Sequence, residues 1–486
     1  MKKIFVYACL SLSLVSISCN DLLTEIPLDR LSATTYYTTL AEITSAVNAA
    51  YSPIRSQFGG RYGVMYTAME DYSSGQGVYI PIASYQGFPS SIISLTDAAW
   101  ASFYQTIRLS NTVIKYTPNI DATDAQKNAA IGEAKFLRAL SYFCLVKNWG
   151  GVPIKTEPTE TFDQIGGKRA TVAEVYQFLL DDLKFAEVNL PSTQAQVGRA
   201  TKWAAKTMMA DVYLFTGDFA NARDKADEVI KSGLYSLVSV TKPEDFELLF
   251  GPTTVTTTEE IFSFKFSRLN GNTLPQYYAA SNSAYASTGF GTFFGFPTYP
   301  LLSNWNKNDL RYKFDVYTTY PTKTGAIVST SPSQPIRFGK FKDAGFAPSH
   351  GNDTPLYRYA DPLLIYAEAA SQINNGPTAL ALERLNIVHR RAFGFNPTVP
   401  APSVDFTLTG QTAATFRDLV LTERAYEFLC EGKRWFDLIR TGTVKQVIKT
   451  AKNITVADAH LIWPIPKQEI DNNPDINPED QNPGYF

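Results

Sequence analysis

The strongest constraint in this chain is a series of amphipathic helical segments joined by turns that fold them back on one another. The clearest is a hairpin over 202–232. Apolar residues recur at helical spacing up to Thr216, Gly217-Asp218 turns the chain, and a second helix runs from Phe219 until Gly233, which stands just past its end. Ala210, Tyr213 and Ala222 place small residues where the two helices must approach closely, with the spacing of a tetratricopeptide pair. A second pair is predicted over 363–374 and 378–392. There Asp361-Pro362 offers an N-cap followed by proline at the first helical position, and Ala369 and Ala381 repeat the gap between Ala210 and Ala222. Upstream, Thr39-x-x-Glu42 has the form of a capping box ahead of Ile43, Ala46, Val47 and Ala50. Asp97, Asp124 and Thr171 are each placed to cap a further helix, ended by Pro118, by Gly150-Gly151 and by Pro191 respectively. The two hairpins lie too far apart for a regular solenoid, so the pattern is a helical scaffold interrupted by a large insertion.

That insertion, 234–357, differs in composition. Five threonines fall within 253–258, Ile261-Phe262-Ser263-Phe264-Lys265-Phe266 alternates like a strand, and two Gly/Ser/aromatic runs follow at 277–285 and 289–296. An early stretch from Tyr62 through Tyr66, Tyr72, Tyr79, Tyr85 and Phe88 has the same character. Both lack helical period and read as long loops, which in compact proteins are usually functional.

The N-terminus sets the compartment. Lys2 and Lys3 precede an uncharged, mostly apolar run over 4–18, too short to span a bilayer and typical of a secretory signal. It ends Ser16-Ile17-Ser18-Cys19, which resembles a bacterial lipobox with Ser16 where leucine is usual, so Cys19 is the expected lipidation site and 1–18 the lipoprotein signal peptide. The chain of 486 residues carries 44 Lys+Arg against 46 Asp+Glu, a near-balance that argues against a nucleic-acid partner. Three histidines and four cysteines, widely scattered, argue against a His/Cys metal site or a disulfide framework, and no cofactor motif is present. Cys144 and Cys430 fall within helical patterns and are expected to be buried free thiols.

In order along the chain, several short motifs resemble the SusD/RagB family of outer-membrane nutrient-binding lipoproteins of Bacteroidetes-type bacteria. They are the lipobox; Trp100-x3-Tyr104-x2-Ile107-x3-Asn111; Glu133-Ala134-Lys135-x2-Arg138-Ala139 running into Trp149-Gly150-Gly151-Val152-Pro153; Gly198-Arg199-Ala200-Thr201; and Asp309-x-Arg311. Arg358-Tyr359-Ala360-Asp361, Leu385-Asn386-x2-His389-x-Arg391-Ala392, Glu423-Arg424-x2-Glu427-x3-Glu431-Gly432-x-Arg434-Trp435 and Trp463-Pro464-Ile465-Pro466 continue it to the C-terminus, with His389 where the family usually has arginine. The resemblance implies a mainly α fold: four tetratricopeptide-like helix pairs, an α-α superhelix, packed against an irregular loop-rich half with short β-strands. It divides the chain into a tether over 19–33, an N-terminal region over 34–233, the insertion over 234–357 as ligand-binding half, and a C-terminal region over 358–486. It also implies a SusC-like TonB-dependent outer-membrane transporter as partner, attachment to the outer membrane at the cell surface through a lipid anchor only, and capture of an oligosaccharide or, less often, a peptide, without catalysis.

The residues agree with a binder. No Gly-x-Ser-x-Gly, His-Glu-x2-His or Walker loop occurs. Glu423, Glu427 and Glu431 share one helical face, but interleaved with Arg424 and Arg434 they read as a structural ion-pair network, whereas glycosidase carboxylates must flank a cleft. Sugar binding requires flat aromatic faces for the C–H side of a pyranose and planar polar groups for its hydroxyls. The candidates are Tyr72, Tyr79, Tyr85, Phe88, Tyr277, Tyr278, Tyr285 and Phe294, with Asp71, Gln86 and Asn282 as hydrogen-bonding partners. Trp100, Trp149, Trp203, Trp435 and Trp463 are assigned to packing, and Trp305 fits either role. A peptide-capturing relative and a secreted glycosidase on a helical scaffold stand as the alternatives to a glycan binder.

Overall fold

Most long helices begin where a short polar side chain can cap them. In the computed structural model, which describes residues 36–159, 164, 166–345 and 349–485, the scaffold helices are α1 (Leu40–Phe58), α2 (Arg61–Met69), α3 (Ser90–Tyr116), α4 (Asp124–Trp149), α5 (Val172–Asn189), α6 (Lys202–Thr216), α7 (Phe219–Lys231), α8 (Ala360–Ile373), α9 (Ala379–Ala392), α10 (Ala413–Glu427), α11 (Arg434–Arg440) and α12 (Val444–Lys452). The signal over 1–18, Cys19 and the tether over 19–33 lie outside the described residues. Thr39, Thr123 and Thr171 close reciprocal capping boxes with Glu42, Gln126 and Glu174, satisfying two otherwise orphan N–H groups at each start. Three predicted starts shift. Asp97 lies inside α3, which begins behind Pro89. Thr123, not Asp124, caps α4. Asp361 sits in the first turn of α8, where its carboxylate accepts the Arg358 N–H at 2.8 Å. Gly217, at φ +80°, makes the left-handed turn of the α6–α7 hairpin that a side chain would strain.

Apart from α2, consecutive helices pack side by side from α1 to α9, and α10 lies against α8. Taken two at a time, α1/α3, α4/α5, α6/α7 and α8/α9 make four pairs. The whole insertion separates α7 from α8 in sequence, yet the two are close neighbours, through Ala222 and Ala226 on one side and Ala367 and Ala370 on the other. Among the described residues, strand is confined to two-stranded antiparallel ladders: β1 (Ser74–Gly75) with β3 (Phe293–Phe294), β2 (Glu260–Phe264) with β8 (Thr354–Arg358), β4 (Val316–Tyr317) with β7 (Arg337–Phe338), and β5 (Thr319–Pro321) with β6 (Ile327–Ser329). The β2–β8 ladder, with Glu260 opposite Arg358 and Phe264 opposite Thr354, zips the insertion shut at its base, so its excursion leaves the helix stack unbroken.

One apolar core runs through scaffold, insertion and C-terminal region, and Trp149, Trp305, Trp435 and Trp463 are fully buried in it. Trp305 is thereby settled as a core residue: its ring stacks on Tyr426 at 4.3 Å and its indole N–H donates to Asp309 at 2.9 Å. Tyr62 and Tyr66, read as loop residues, lie in α2 and are buried against Phe103 and Trp463. Cys144 and Cys430 are buried free thiols.

The carboxylate stripe at the end of α10 is the charged counterpart of this core. Glu427, 2% exposed, accepts from Arg311 at 3.0 Å, from Arg358 at 2.8 Å and from Arg391. Glu423 meets Arg311 at 2.8 Å and the His389 imidazole at 2.9 Å, so His389 does at this position what an arginine could. Glu431 pairs with Arg358 at 2.8 Å and Lys340 at 2.9 Å. Arg424 holds Asp437 at 2.8 Å, and Arg434 grips Asp71 with two bonds of 2.9 and 2.8 Å.

Burial alone would raise these acids, but Arg311 and His389 hold Glu423 at about 2, and Arg424 and Arg440 hold Asp437 at about 2. Glu70 and Asp315 go the other way: burial outweighs the cations near them and pushes both up to about 7. The first pair, depressed in the fold, contributes stability that is complete above the ordinary carboxylate range and is lost as pH falls toward 2. The second pair, raised in the fold, favours the folded state as pH drops from 7 through that range. Thermal melts across pH are therefore expected to show a Tm maximum near about pH 5, a shallow decline toward pH 7.5 and a steep one between about pH 4 and pH 2; a flat profile from pH 5 down to 2 would contradict this assignment.

Candidate functional site

The two aromatic clusters singled out in the sequence meet in space. The β1–β3 ladder sets Ser74 opposite Phe294 and Gly75 opposite Phe293, joining the early segment to the insertion. A side chain at position 75 would bring its Cβ to 2.9 Å from that of Tyr79, so glycine is required where the strand runs against its own following turn. Around this ladder Tyr79 packs its edge on Phe293 at 5.2 Å and on Tyr277 at 6.2 Å. The Tyr277 hydroxyl accepts from Arg61 Nε at 3.2 Å, and the Tyr278 hydroxyl meets Thr67 Oγ1 at 3.0 Å.

Most of the predicted ligand residues turn out to make this junction and do not present themselves to a ligand. Tyr72 is fully buried, and its hydroxyl accepts the Cys430 N–H at 3.0 Å. Tyr85, held at φ +53°, donates its hydroxyl to the Met69 carbonyl. Tyr79, Tyr277, Tyr278 and Phe294 are buried among other rings. Both carboxylate oxygens of Asp71 are taken by Arg434. Phe88 is half-buried between Trp463 and Tyr485. The reason is general: irregular loops have few backbone hydrogen bonds to order them, so large rings with hydrogen-bonded hydroxyls supply the core instead. Burial pushes the Tyr72, Tyr85 and Tyr278 hydroxyls well above their ordinary range, so they stay neutral donors. Of the predicted set, Tyr285 is half-buried and Gln86 and Asn282 are exposed.

What reaches the surface beside Tyr285 is a different group. Phe290 is 45% exposed and rests its edge on Tyr277 at 5.5 Å. Tyr285 meets Tyr317 edge-on at 5.2 Å, and Tyr317 meets Tyr320 at 5.9 Å, a ladder of three half-buried tyrosines. The Tyr317 hydroxyl accepts the Ala280 N–H at 3.1 Å, whereas the hydroxyls of Tyr285 and Tyr320 have no partner among the described residues. Val78, at 43%, and Ile80, at 51%, are exposed on the turn that follows β1.

Planar polar groups link these rings. Gln76 Nε2 donates to the Phe290 carbonyl at 2.8 Å, Gln334 Nε2 donates to Gln76 Oε1, and Arg337 donates to Gln334 Oε1 and to the Gly291 carbonyl. Gly291, at φ +56°, leaves room for that guanidinium: a Cβ there would lie 2.9 Å from it. The guanidinium also faces the Phe294 ring at 5.8 Å.

Sequence reasoning missed Gln76, Phe290, Tyr317, Tyr320, Gln334 and Arg337. Phe290 lies in a glycine-rich run that the sequence had marked. The alternation Val316-Tyr317-Thr318-Thr319-Tyr320 carried a signal only once it was known to lead into a ladder.

Chemically this is a surface of aromatic faces and two half-buried amides, with the buried Arg337 guanidinium holding one amide from behind, suited to a polyhydroxylated ring through stacking and hydrogen bonds. The acids that could attract a hydrolase reading, Glu423, Glu427 and Glu431, are buried and spent on cations elsewhere. Among the described residues no group of three or more His, Cys, Asp or Glu side chains is arranged to hold a metal ion, and no helix is long and apolar enough to cross a membrane.

Comparison with known proteins places this geometry. Residues 304–485 match the family model described as SusD family, and residues 34–214 match one described as starch-binding associating with outer membrane. A SusD-like protein of Formosa agariphila is 26% identical over an alignment of 510 residues that covers 98% of each chain. The starch-binding protein SusD of Bacteroides thetaiotaomicron is 30% identical over 157 residues, 29% of this chain and 28% of that one. Among solved structures, a SusD homolog from Bacteroides thetaiotaomicron superposes with a TM-score of 0.80 at 20% identity, covering 94% of this chain and 99% of its own. A laminarin binding SusD-like protein superposes with a TM-score of 0.75 at 23% identity, covering 92% and 100%. At these identities the structural likeness establishes the fold.

Proposed function

We propose, from the premise that the chain belongs to the SusD/RagB family, that it is a cell-surface lipoprotein of the outer membrane. It binds a nutrient oligosaccharide or polysaccharide and passes it, chemically unchanged, to a SusC-like TonB-dependent transporter. The observation that carries the glycan reading is the aromatic strip at the β1–β3 junction: Phe290, Tyr285, Tyr317 and Tyr320 partly exposed, with the Gln76 and Gln334 amides among them and Arg337 buried behind. Rings half-sunk in the surface offer one face at little entropic cost, and the unpartnered hydroxyls of Tyr285 and Tyr320 are free for the sugar. The names of its neighbours point the same way, one being a laminarin binding SusD-like protein and another a surface glycan-binding protein from Bacteroides fluxus. The fate of the stripe acids supports transfer without chemistry: hydrolysis needs two carboxylates flanking a sugar, and Glu423, Glu427 and Glu431 are locked to cations inside the core.

Anchoring rests on Cys19 and the lipobox-like sequence before it. A single lipidated cysteine with its acyl chains would leave the folded body outside the bilayer, able to move against a transporter.

Affinity electrophoresis on a panel of polysaccharides, laminarin and starch included, tests the binding role. At least one glycan is expected to retard the protein, and Phe290→Ala and Tyr285→Ala to weaken binding about tenfold each, the loss of roughly 1.4 kcal/mol of stacking. Retardation by no glycan, or release of sugar products, would sink the reading. Independently, Cys19→Ala is expected to abolish incorporation of a labelled fatty acid and free the protein from the membrane fraction; unchanged labelling would refute the anchor.

A further inference from the structure

A second, partly open concavity of about 100 Å³ lies between α4, β8 and the start of α11. None of the residues of the aromatic strip lines it. Charged side chains make up much of its wall, and one side is aromatic, with Tyr66, Phe143, Phe215, Phe341 and Phe436. Against them stands Lys147 of α4. Its ammonium lies 4.0 Å from the centre of the Phe143 ring and 4.2 Å from that of Phe436, and among the described residues no oxygen accepts from it. Most other ionised groups at the wall are engaged, Glu431 by Arg358 at 2.8 Å and Lys340 at 2.9 Å and Asp437 by Arg424 and Arg440 at 2.8 Å each. Asp211 accepts the Tyr357 hydroxyl at 3.0 Å, Arg440 is held by Glu368 at 2.6 Å, and Lys433 pairs with Asp361. Arg424 gives Nε to Asp437 at 2.8 Å, but its buried Nη1 has no acceptor.

We propose that this cavity binds a small organic carboxylate, whose oxygens take the Lys147 ammonium and whose apolar body lies against the phenylalanine rings. An ammonium half-buried against aromatic rings loses part of its hydration, and cation–π contact returns only part of that. Lys147 and Arg424 therefore have unused donors, while Glu431 and Asp437 are held by cations and, among the described residues, Asp211, which faces Lys147, is bonded only by the neutral Tyr357 hydroxyl. The space admits several waters or one small molecule and is too narrow for an oligosaccharide. Aromatic walls with the unused donors of Lys147 and Arg424 beside them suit a compact hydrophobic acid better than a polyol. Burial pulls the Lys147 pKa down, with Asp211 opposing it, and an arriving carboxylate would stabilise the protonated form.

The test uses the folded full chain and three probes of one shape: benzoate, benzyl alcohol and benzylammonium, titrated by ligand-observed NMR. Benzoate is expected to bind saturably, benzyl alcohol about tenfold or more weakly, and benzylammonium not at all up to about 10 mM. Lys147→Met, which keeps the length and packing of the stem, is expected to lose benzoate binding about tenfold or more while glycan retardation is retained. The inference is overturned if benzoate shows no saturable binding, if the three probes bind alike, or if Lys147→Met binds benzoate as the native protein does. The native-protein series decides the matter by charge alone should that variant fail to fold.

Discussion

Glu427 is the fixed point of this molecule. Three guanidinium groups reach it from three separate stretches: Arg311 from the insertion, Arg358 from the end of β8 and Arg391 from α9. Glu259, at the entrance to β2, completes the set by holding Arg358 at 2.6 Å and Arg391 at 3.3 Å. Each of these charges has been taken out of water, and removing one partner of such a set characteristically costs about 3–5 kcal/mol, because the partners left behind remain buried. Any arrangement that displaced the insertion from the scaffold would strand several charges at once. The network thus fixes where the insertion sits, while the apolar core supplies the bulk of the stabilisation.

With the base of the insertion pinned, its distal part can be irregular. The β2–β8 ladder closes the excursion, and beyond it only short ladders occur, so ring-on-ring packing carries the order. This is why the junction between the early segment and the insertion consumes so many tyrosines. Tyr72, Tyr79, Tyr277 and Tyr278 bury their faces to build a platform, and a second set, Phe290, Tyr285, Tyr317 and Tyr320, lies across it with faces to spare. The second concavity is a different product of the same construction: at the seam between helices and insertion, Lys147 is half-buried against aromatic rings without an oxygen partner among the described residues.

How much of this could be read from the sequence depended on whether a signal was local. Most long helices, the α6–α7 hairpin, the capping box at Thr39 and the cap at Thr171 were legible because caps and apolar periodicity act within a few residues, whereas α2, rich in tyrosine and without a side-chain cap, read as loop. Helix starts failed where a better cap lay one step upstream, as with Thr123, or where proline began the helix early, as with Pro89. The C-terminal charge stripe was legible as a structural network because acids and arginines alternate on one face. Its partners Arg311, Arg358 and Arg391 were visible only as motifs of a resembling family, since nothing local says that they converge. The site was half legible: the clusters were found, but which ring faces inward depends on pairing between segments more than two hundred residues apart. The pairing of Gly75 with Phe293, not the composition of either loop, buries Tyr72 and Tyr278 and leaves Phe290 outside.

The central claim is that a charge-pinned insertion presents the aromatic strip as the glycan-binding face. Hydrogen–deuterium exchange, read with and without the best-retarded oligosaccharide, tests it most directly. The account predicts added protection at 74–80, 285–296 and 317–337, with the helices of 413–452 unchanged. Protection confined to those C-terminal helices, or spread over the scaffold and absent from the strip, would contradict it.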